Sequence, residues 1–353
     1  MTNTHTATSI PTIGIVTLHE DIHALVIRDA IQHRHDARCV ILESDELARS
    51  GALNWSPHGD CVPTLPVEGG DRVDVRKLDA IWWRRPSGRP WDRSLPGLED
   101  VVEPQALEVV RNDCLAGFQG LLLGEFGGAW VSHPDATRRA ENKVLQLRVA
   151  VQVGLRIPRT LVSQDPEAIR AFCSRQPTIV KTLAGAFGIP LLAHAVRPEV
   201  LADDEALRLS PAIYQERIEG RDHLRVHVFG SHIETARLRC DELDWRVHLN
   251  RTEVESHALP VDVERRLRRF MEIFDLRMGV FDLKIDTHGE IVWLEVNPQG
   301  QFLFVEGMSD MKLAEACGDF LYRAAGERRQ LRALSSAHAR APESGRAPAP
   351  AWS

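Results

Sequence analysis

Three side chains in the later part of the chain have the chemistry of a divalent-cation site. Asp282, Glu295 and Asn297 lie in residues 278–301, where β-branched and aromatic residues flank a tight turn at Thr287-His288-Gly289. This pattern predicts two strands joined as a hairpin. Glu295 and Asn297 are two residues apart, so a strand projects both side chains from one face. Carboxylate and amide oxygens suit Mg²⁺ that is held partly by protein and partly by nucleotide phosphates.

The register of this hairpin decides whether the two carboxylates meet. If Asp286 pairs near Glu290 or Ile291, then Asp282 lies almost opposite Glu295. The alternative is an ordinary amphipathic hairpin whose acidic side chains face water. Because polar ligands within otherwise apolar strands are a costly way to build a plain core, we favour the metal site.

The elements that position this hairpin follow an α/β pattern. Residues 13–18 form an apolar run that precedes a helical stretch over about 21–34 and a second strand at 37–42, which is the start of an open α/β lobe. Further elements are expected in chain order: a buried strand at 80–86, a helix at about 101–123, one long amphipathic helix at 134–154, a strand at 157–162, a helix at 166–175, strands at 178–183, 212–218, 224–229 and 233–239, a helix at 261–274 and a last helix at about 311–329.

Composition limits the class of protein. The 353 residues carry a formal net charge of −7, which argues against general nucleic-acid binding. No apolar run approaches the ~20 residues of a membrane span, and the first residues lack the features of a signal peptide. The six cysteines are scattered without zinc spacing, as expected for reduced thiols. We therefore expect a cytoplasmic protein with neither a nucleic-acid nor a membrane partner.

Phosphate-binding motifs of the common kinds are missing from the sequence. There is no G-x-x-x-x-G-K-[ST], and no G-x-G-x-x-G follows a predicted strand. Lys181 ends an apolar, β-branched strand, where a lysine needs an anionic partner. Lys143 lies on a predicted helix, and by itself it fits a solvated surface lysine equally well.

Several short motifs together resemble one enzyme family. Val280-Phe-Asp-Leu-Lys284 followed by Trp293-Leu-Glu-Val-Asn-Pro298 resembles the metal-binding end of ATP-grasp enzymes. Four further runs resemble the peptide-modifying ATP-grasp ligases known as microviridin-type maturases or graspetide synthetases: Thr17-Leu-His-Glu-Asp-Ile-His23, Ile81-Trp-Trp-Arg-Arg-Pro86, Asp244-Trp-Arg246 and Asn297-Pro-Gln-Gly-Gln-Phe302. The similarity covers about residues 10–325 and extends distantly to RimK-like and glutathione-synthetase-like ligases.

This resemblance implies an α/β fold of the ATP-grasp type with an N-terminal open α/β pre-ATP-grasp domain. The implied domains are the N-terminal domain at 10–130, a central lid subdomain at 131–215 and a C-terminal subdomain with the metal site at 216–330. Residues 1–9 and 335–353 are expected to be disordered, since the latter consist largely of Ser, Ala, Pro, Arg and Gly.

The resemblance also implies a role for each part of an ATP site. Asp282, Glu295 and Asn297 would hold two Mg²⁺ ions, and Lys143 and Lys181 would reach the α- and β-phosphates. Residues 184–190, with Gly185 and Gly188, would form a closing loop. The adenine would lie against Gln215, Glu216, Arg217 and Ile218, and the ribose would bind either Glu219 or Asp222. Arg225, an inward arginine of the following strand, would face phosphate together with Lys181 and Arg246.

The implied reaction joins a carboxylate to a hydroxyl or an amine. A side-chain carboxylate of a ribosomal precursor peptide attacks the γ-phosphate of ATP and gives an acyl phosphate and ADP. A hydroxyl or amine of the same peptide then displaces phosphate and closes an ester or amide macrocycle. Arg246 and Asp244 are candidate substrate-binding residues, and the acceptor's proton would go either to Asp244 or to phosphate.

Several partner assignments stay open from sequence. Arg84 and Arg85 would bind the substrate carboxylate, or else cap a strand end and pair with the acids at 99–103. The precursor's leader peptide would bind near residues 231–274, unless these form a plain hairpin with solvated charges. Trp82, Trp83 and Trp91 fit either a homodimer interface or the core. The alternative functions are a ligase that acts on free amino acids or on a protein terminus, a nucleotide-dependent binding module without turnover, and a kinase-like phosphotransferase.

Overall fold

The structure, a computed structural model, describes residues 10–87, 92, 94–95, 97–184 and 192–340. The predictions for residues 1–9, for Gly185 and Gly188 and for residues 341–353 lie outside these described residues. Within them, no helix combines the length and the apolar character that crossing a membrane requires.

The N-terminal lobe is built on a parallel sheet of four strands in the order β2-β1-β5-β6. The inner strand β1 is buried almost throughout, as expected for a parallel sheet that is covered on both faces. The elements of this lobe are β1 (Thr12–Thr17), α1 (Ile22–Arg34), β2 (Arg38–Glu43), α2 (Leu47–Ser50), β3 (Thr64–Pro66), β4 (Arg72–Asp74), β5 (Ala80–Trp83), α3 (Pro104–Glu125) and β6 (Ala129–Val131).

The central lobe contains a sheet in the order β7-β10-β8-β9. Its elements are α4 (Pro134–Glu141), α5 (Lys143–Gln152), β7 (Thr160–Ser163), α6 (Pro166–Cys173), β8 (Thr178–Lys181), β9 (His194–Ala195), α7 (Pro198–Ala202), α8 (Asp204–Leu209) and β10 (Ala212–Glu216).

The single helix predicted over 134–154 is wrong, because the chain forms two helices that meet at Asn142. The backbone of Asn142 is extended, and its side chain accepts hydrogen bonds from the N–H groups of Val144 and Leu145 at 3.1 Å. An asparagine that caps a new helix in this way ends the preceding one. Lys143 is therefore the first residue of α5, not a mid-helix residue.

The C-terminal lobe contains an antiparallel sheet in the order β13-β12-β11-β14-β15. Its elements are β11 (Asp222–Phe229), β12 (His232–Arg239), β13 (Glu253–Ser256), α9 (Val261–Phe274), β14 (Met278–Ile285), β15 (Ile291–Asn297), α10 (Leu303–Gly307) and α11 (Leu313–Arg340). The bounds of α9 match the predicted ones, since its apolar residues recur at helical spacing and pack under the sheet.

The last helix returns to the N-terminal lobe. Phe320 and Leu321 of α11 share one hydrophobic core with Ile27 and Ile31 of α1. The helix continues to Arg340, so it includes residues 335–340, which we expected to be disordered. The physical reason is that good helix formers such as Ala, Leu and Arg follow residue 329, and no proline interrupts them before Pro342.

Candidate active site

The hairpin of β14 and β15 brings the two predicted metal-site carboxylates together. Gly289 has φ +83° and donates its N–H to the Asp286 carbonyl at 3.0 Å, which closes the turn. Ile285 then pairs with Ile291, and a one-residue register shift between Asp282 and Leu283 places Asp282 directly opposite Glu295. The predicted register is thus confirmed.

Basic side chains from three different elements surround this carboxylate pair. Lys143, at the start of α5, donates to Glu295 Oε2, and Arg225 of β11 donates from Nη1 to Asp282 Oδ1 at 2.7 Å. Burial would raise the pKa of Glu295, but the charges of Lys143 and Lys181 and the hydrogen bond from Lys143 lower it. Burial lowers the pKa of Lys181, as do the charges of Lys143 and Arg246, while Glu295 and Asp282 oppose this shift.

The carboxylate pair and three basic side chains line a cleft of about 230 Å³ between the central and C-terminal sheets. These residues are Lys143, Lys181, Arg246, Asp282 and Glu295. The predicted Gln215, Glu216, Ile218 and Asp244 line the same cleft. Cations beside a carboxylate pair, together with apolar lining residues, suit an anionic ligand that also has an apolar part.

The donor set fits a cation that is shared with phosphate. Within the described residues, no group of three or more His, Cys, Asp and Glu side chains could hold a metal. Two carboxylates and the Asn297 amide are fewer oxygen ligands than Mg²⁺ takes, so water or phosphate must complete its coordination. Asn297 is exposed at the end of β15, and its Oδ1 accepts the Gln299 N–H at 3.0 Å.

The structure does not bring the two predicted ribose acids to the cleft. Glu219 is largely exposed and pairs with Arg217 at 3.1 Å, and Asp222 lies 3.3 Å from Arg239 Nε. Neither acid lines the cleft, and neither does Arg217. The side-chain direction at these positions depends on how the 217–221 turn enters β11, and the sequence pattern does not determine that entry.

Two arginines that we considered for substrate binding lie outside the cleft. Arg84 is 1% exposed, donates from Nη1 to the Gln299 carbonyl at 2.5 Å and has its Nε 3.4 Å from Asp21. Its partners are therefore not the acids at 99–103. Arg85 is exposed at the end of β5, and its backbone N–H donates to the Val16 carbonyl.

Several residues that line the cleft were missed from the sequence, among them His223, Trp245 and Lys284. His223 and Lys284 are paired across β11 and β14, two positions from the pair of Arg225 and Asp282 in the same two strands. Both are buried, and His223 Nε2 is left without a hydrogen-bond partner in the described residues. The alternation of His223 with Arg225 was the available signal, because residues two apart on a strand share a face.

Two buried histidines, His223 and His227, and the partly buried His23 should make the protein sensitive to mild acid. Burial is the main cause that lowers the pKa of His23 and of His223 to about 4 and that of His227 to about 3. A histidine of the unfolded chain titrates near 6.5, so below that pH the unfolded state binds more protons than the folded state. The free energy of unfolding should therefore fall as pH drops from about 6.5 towards 4, by about 1.4 kcal/mol per pKa unit and group at most.

Urea denaturation at a series of pH values measures this loss. Replacing His227 by Phe should flatten the decline, whereas replacing the exposed His33 by Phe should leave it unchanged. A free energy of unfolding that stays constant between pH 6.5 and 4 would contradict the neutral, buried state of these rings.

The comparison with family models decides which family this site belongs to. Residues 140–317, about half of the chain, match the model of the RimK-like ATP-grasp domain. The chain belongs to the RimK-like ATP-grasp family. The matched range contains Lys143, Lys181, both carboxylates and Asn297.

Solved structures extend the similarity of this ATP-grasp chain to its N-terminal lobe. Macrocyclase MdnC bound with precursor peptide MdnA, from Microcystis aeruginosa MRC, has a TM-score of 0.77 at 24% identity, over 88% of this chain and 99% of that chain. A RiPP-associated ATP-grasp ligase of Chryseobacterium gregarium, in complex with ADP and a leader and core peptide, has a TM-score of 0.77 at 18% identity, over 88% of this chain and 96% of that chain. Macrocyclase MdnB of Microcystis aeruginosa MRC has a TM-score of 0.70 at 26% identity, over 88% of this chain and 99% of that chain. No curated protein matches the chain. The predicted ATP-grasp fold with an N-terminal α/β domain is confirmed.

Proposed function

We propose that this ATP-grasp chain is a peptide macrocyclase. It would phosphorylate a side-chain carboxylate of a ribosomal precursor peptide with ATP, and it would close an ester or amide ring with release of ADP and phosphate. The observation that carries the proposal is the similarity to macrocyclases MdnC and MdnB, which covers 88% of this chain and includes the N-terminal lobe as well as the nucleotide site.

The cleft would give each part of ATP a distinct place. The backbone N–H groups of Glu216 and Arg217 already donate to the carbonyls of Arg159 and Pro177. Of the predicted adenine-edge residues 216–218, we infer that Ile218 would donate its N–H to the adenine. Lys143 and Lys181 would bind the phosphates, and Asp282, Glu295 and Asn297 would hold two Mg²⁺ ions that neutralise phosphate charge.

The chain's own cations would stabilise both the phosphate transfer and the acyl transfer that follows it. In the first step a carboxylate oxygen of the peptide forms a bond to the γ-phosphorus, and the bond to the β,γ-bridging oxygen breaks to give ADP. In the second step the hydroxyl or amine attacks the acyl carbon, and phosphate leaves with the original carboxylate oxygen. Lys181 and Arg246 line the cleft and Arg225 donates to Asp282 beside it, so all three cations would stabilise the negative oxygens of both steps.

The proton of the attacking group is better accepted by phosphate than by Asp244. Arg246 donates to Asp244 through its backbone N–H at 3.1 Å and its Nε at 2.8 Å. Burial would raise the pKa of Asp244, but its hydrogen bonds and charge interaction with Arg246 lower it. A carboxylate held in this way is a weak base, and we infer that it orients Arg246 towards the cleft.

The leader peptide would bind along β12, β13 and the facing 307–312 loop. An open groove of about 800 Å³ lies here, lined by Glu255 and Ser256 of β13 and by residues 307–312. β13 is the edge strand of its sheet, so its outer backbone groups are available to a further strand. Arg237 and Arg239 of this region form ion pairs with Glu255. The exposed backbone of β13 and the shape of the groove would therefore contribute more to leader-peptide binding than the charges of these arginines.

A ligase that acts on free amino acids or on a protein terminus is the second candidate, and the match to the RimK-like model favours it. The RimK domain protein of Sphaerobacter thermophilus DSM 20745 nevertheless has a TM-score of only 0.52 at 15% identity. A gene for a small acidic precursor with Thr, Ser or Lys acceptors beside the gene for this chain would favour macrocyclisation.

Co-expression with such a precursor tests the proposal. The intact mass of the peptide should fall by the mass of one water for each ring that is closed, and ADP should form in equal number. A precursor that keeps its full mass, together with ADP release on addition of free amino acids, would favour the second candidate.

His223 should discriminate nucleotides by their ribose hydroxyls. Its ring makes a hydrogen bond to the Glu242 backbone, the residue lines the cleft, and its Nε2 is buried without a hydrogen-bond partner among the described residues, so we infer that a ribose hydroxyl could reach it on binding. The loss of one hydrogen bond corresponds to about fivefold in affinity. We expect wild-type protein to bind ADP about fivefold more tightly than 2′,3′-dideoxy-ADP in calorimetry, and we expect His223→Phe to bind both about equally.

The exposed His232 of β12 provides the matched control for this experiment, since His232→Phe should keep the wild-type preference. If His223→Phe discriminates between the two nucleotides as wild type does, the ribose contact is wrong.

A further inference from the structure

The segment that follows Asn297 is held from two lobes. Residues 299–303, here called the 299–303 segment, connect β15 to α10. On the N-terminal side, Arg84 donates to the Gln299 carbonyl at 2.5 Å, and Gln299 Nε2 donates to the Trp83 carbonyl at 3.3 Å. On the C-terminal side, Arg225 donates from Nη2 to the Gln301 carbonyl at 2.7 Å. The segment is thus fixed between the carboxyl end of β5 in one sheet and β11 of the other.

His23 also binds the 299–303 segment, at the start of α10. Its Nε2 accepts the backbone N–H groups of Phe302 at 3.1 Å and Leu303 at 3.3 Å, which lie at the helix N-terminus and have no partner within the helix. Because both donors are N–H groups, Nε2 must be unprotonated. Burial, followed by the charge of Arg84, lowers the pKa of His23 to about 4 against the opposing charge of Asp21, which keeps the ring neutral.

Asp21 contacts both His23 and Arg84. As the N-cap of α1 it accepts the backbone N–H of His23 at 3.0 Å, and it also accepts the Thr17 hydroxyl at 2.5 Å. Its Oδ2 forms an ion pair with Arg84 Nε at 3.4 Å. Thr17 and His23, at the two ends of the run that the sequence singled out, are therefore joined through Asp21, which also supplies the counter-charge of Arg84.

The position of Asn297 depends on the 299–303 segment. Asn297 Oδ1 accepts the Gln299 N–H, and the Asn297 carbonyl accepts the Gly300 N–H at 3.2 Å. Gly300 lies against Val280, the cross-strand partner of Asn297, so closely that a Cβ added there would come within 2.5 Å of Val280 Cβ. Any displacement of the segment would therefore move the Asn297 side chain.

We propose that His23, Asp21 and Arg84 are positioning residues that fix the 299–303 segment and thereby hold Asn297 in place for the metal. This inference rests on the metal assignment made under the proposed function. It gives the buried Arg84 a role in the alignment of the two lobes in place of direct substrate contact. It also requires an acceptor at position 23, so Gln, whose Oε1 reaches as far as Nε2, should substitute for His, whereas Phe should not.

Calorimetric titration with ADP, with and without Mg²⁺, tests the proposal without any precursor peptide. Side chains that orient metal ligands contribute about 10- to 100-fold in metal affinity. We expect His23→Phe to lose about tenfold or more of the Mg²⁺-dependent gain in ADP affinity and to keep the affinity for ADP alone. His23→Gln should recover the gain. His33→Phe, on the exposed face of the same helix, is the matched control and should behave as wild type.

The outcomes separate this inference from the function on which it rests. If Mg²⁺ raises the ADP affinity of wild type and of His23→Phe by the same factor, the positioning role alone is overturned. Equal losses in folded His23→Phe and His23→Gln also overturn it. If His23→Phe does not fold, Gly300→Ala decides, because it displaces the segment from the opposite side and should cause the same loss. A wild-type protein that shows no Mg²⁺ response overturns the metal assignment and this inference together.

Discussion

Replacing Glu295 by Gln should abolish turnover while the protein remains folded. Glu295 is the carboxylate that faces Asp282 across the hairpin, and it is also the counter-charge for Lys143 and Lys181. The amide keeps the size of the side chain but removes a charged metal ligand and leaves the two lysines without compensation. We expect kcat to fall by about a thousandfold or more, the scale of losing a main electrostatic contact of a phosphate-transfer site.

Steady-state release of ADP in the presence of the precursor measures this effect. Glu290→Gln is the matched control, because Glu290 lies in the same hairpin with an exposed side chain and should keep wild-type activity. If Glu295→Gln retained a kcat within tenfold of wild type, the metal assignment would be wrong.

Replacing Lys181 by Met should weaken ADP binding by about 10- to 100-fold. Lys181 ends β8 inside the cleft, and burial lowers the pKa of its amine, as expected for a cation that is poised for an anionic ligand. A charge-assisted hydrogen bond to phosphate contributes about 1.5–3 kcal/mol, and methionine keeps the apolar stem while removing the charge.

The same substitution should leave the free protein at least as stable as wild type. A buried ammonium beside Lys143 and Arg246 is unfavourable without its ligand, so its removal relieves repulsion. Calorimetry and thermal melting of Lys181→Met, with the exposed Lys77→Met as control, separate the two effects. Loss of thermal stability with unchanged ADP affinity would show that Lys181 is structural.

The hairpin that carries Asp282 and Glu295 was predictable from sequence because its geometry is local. Gly289 fixes the turn and the turn fixes the register as far as Leu283, while a β-bulge between Asp282 and Leu283 brings Asp282 directly opposite Glu295. Lys181 was predictable for a similar reason, since a lysine inside an apolar strand requires an anion. The fold followed from the strand–helix order together with the resemblance of several ordered motifs to one family.

The features that could not be predicted depend on contacts between distant segments. Arg84 is buried because residues 299–303 lie over it, more than two hundred positions later in the chain. Glu219 and Asp222 turn away from the cleft, and His223 faces it instead, because the entry to β11 sets the direction of each side chain. The end of α4 and the start of α5 at Asn142 could not be predicted, because the side chain of Asn142 caps α5 within an otherwise continuous amphipathic pattern.

The passage of a carboxylate oxygen into phosphate tests the central claim most directly. A precursor peptide whose core carboxylates carry oxygen-18 would be incubated with this protein, ATP and Mg²⁺, and the released phosphate would be analysed by mass spectrometry. Activation as an acyl phosphate predicts one labelled oxygen in the phosphate for every ring that forms, with no label in ADP. Rings that form while the phosphate stays unlabelled would contradict acyl-phosphate chemistry at this site.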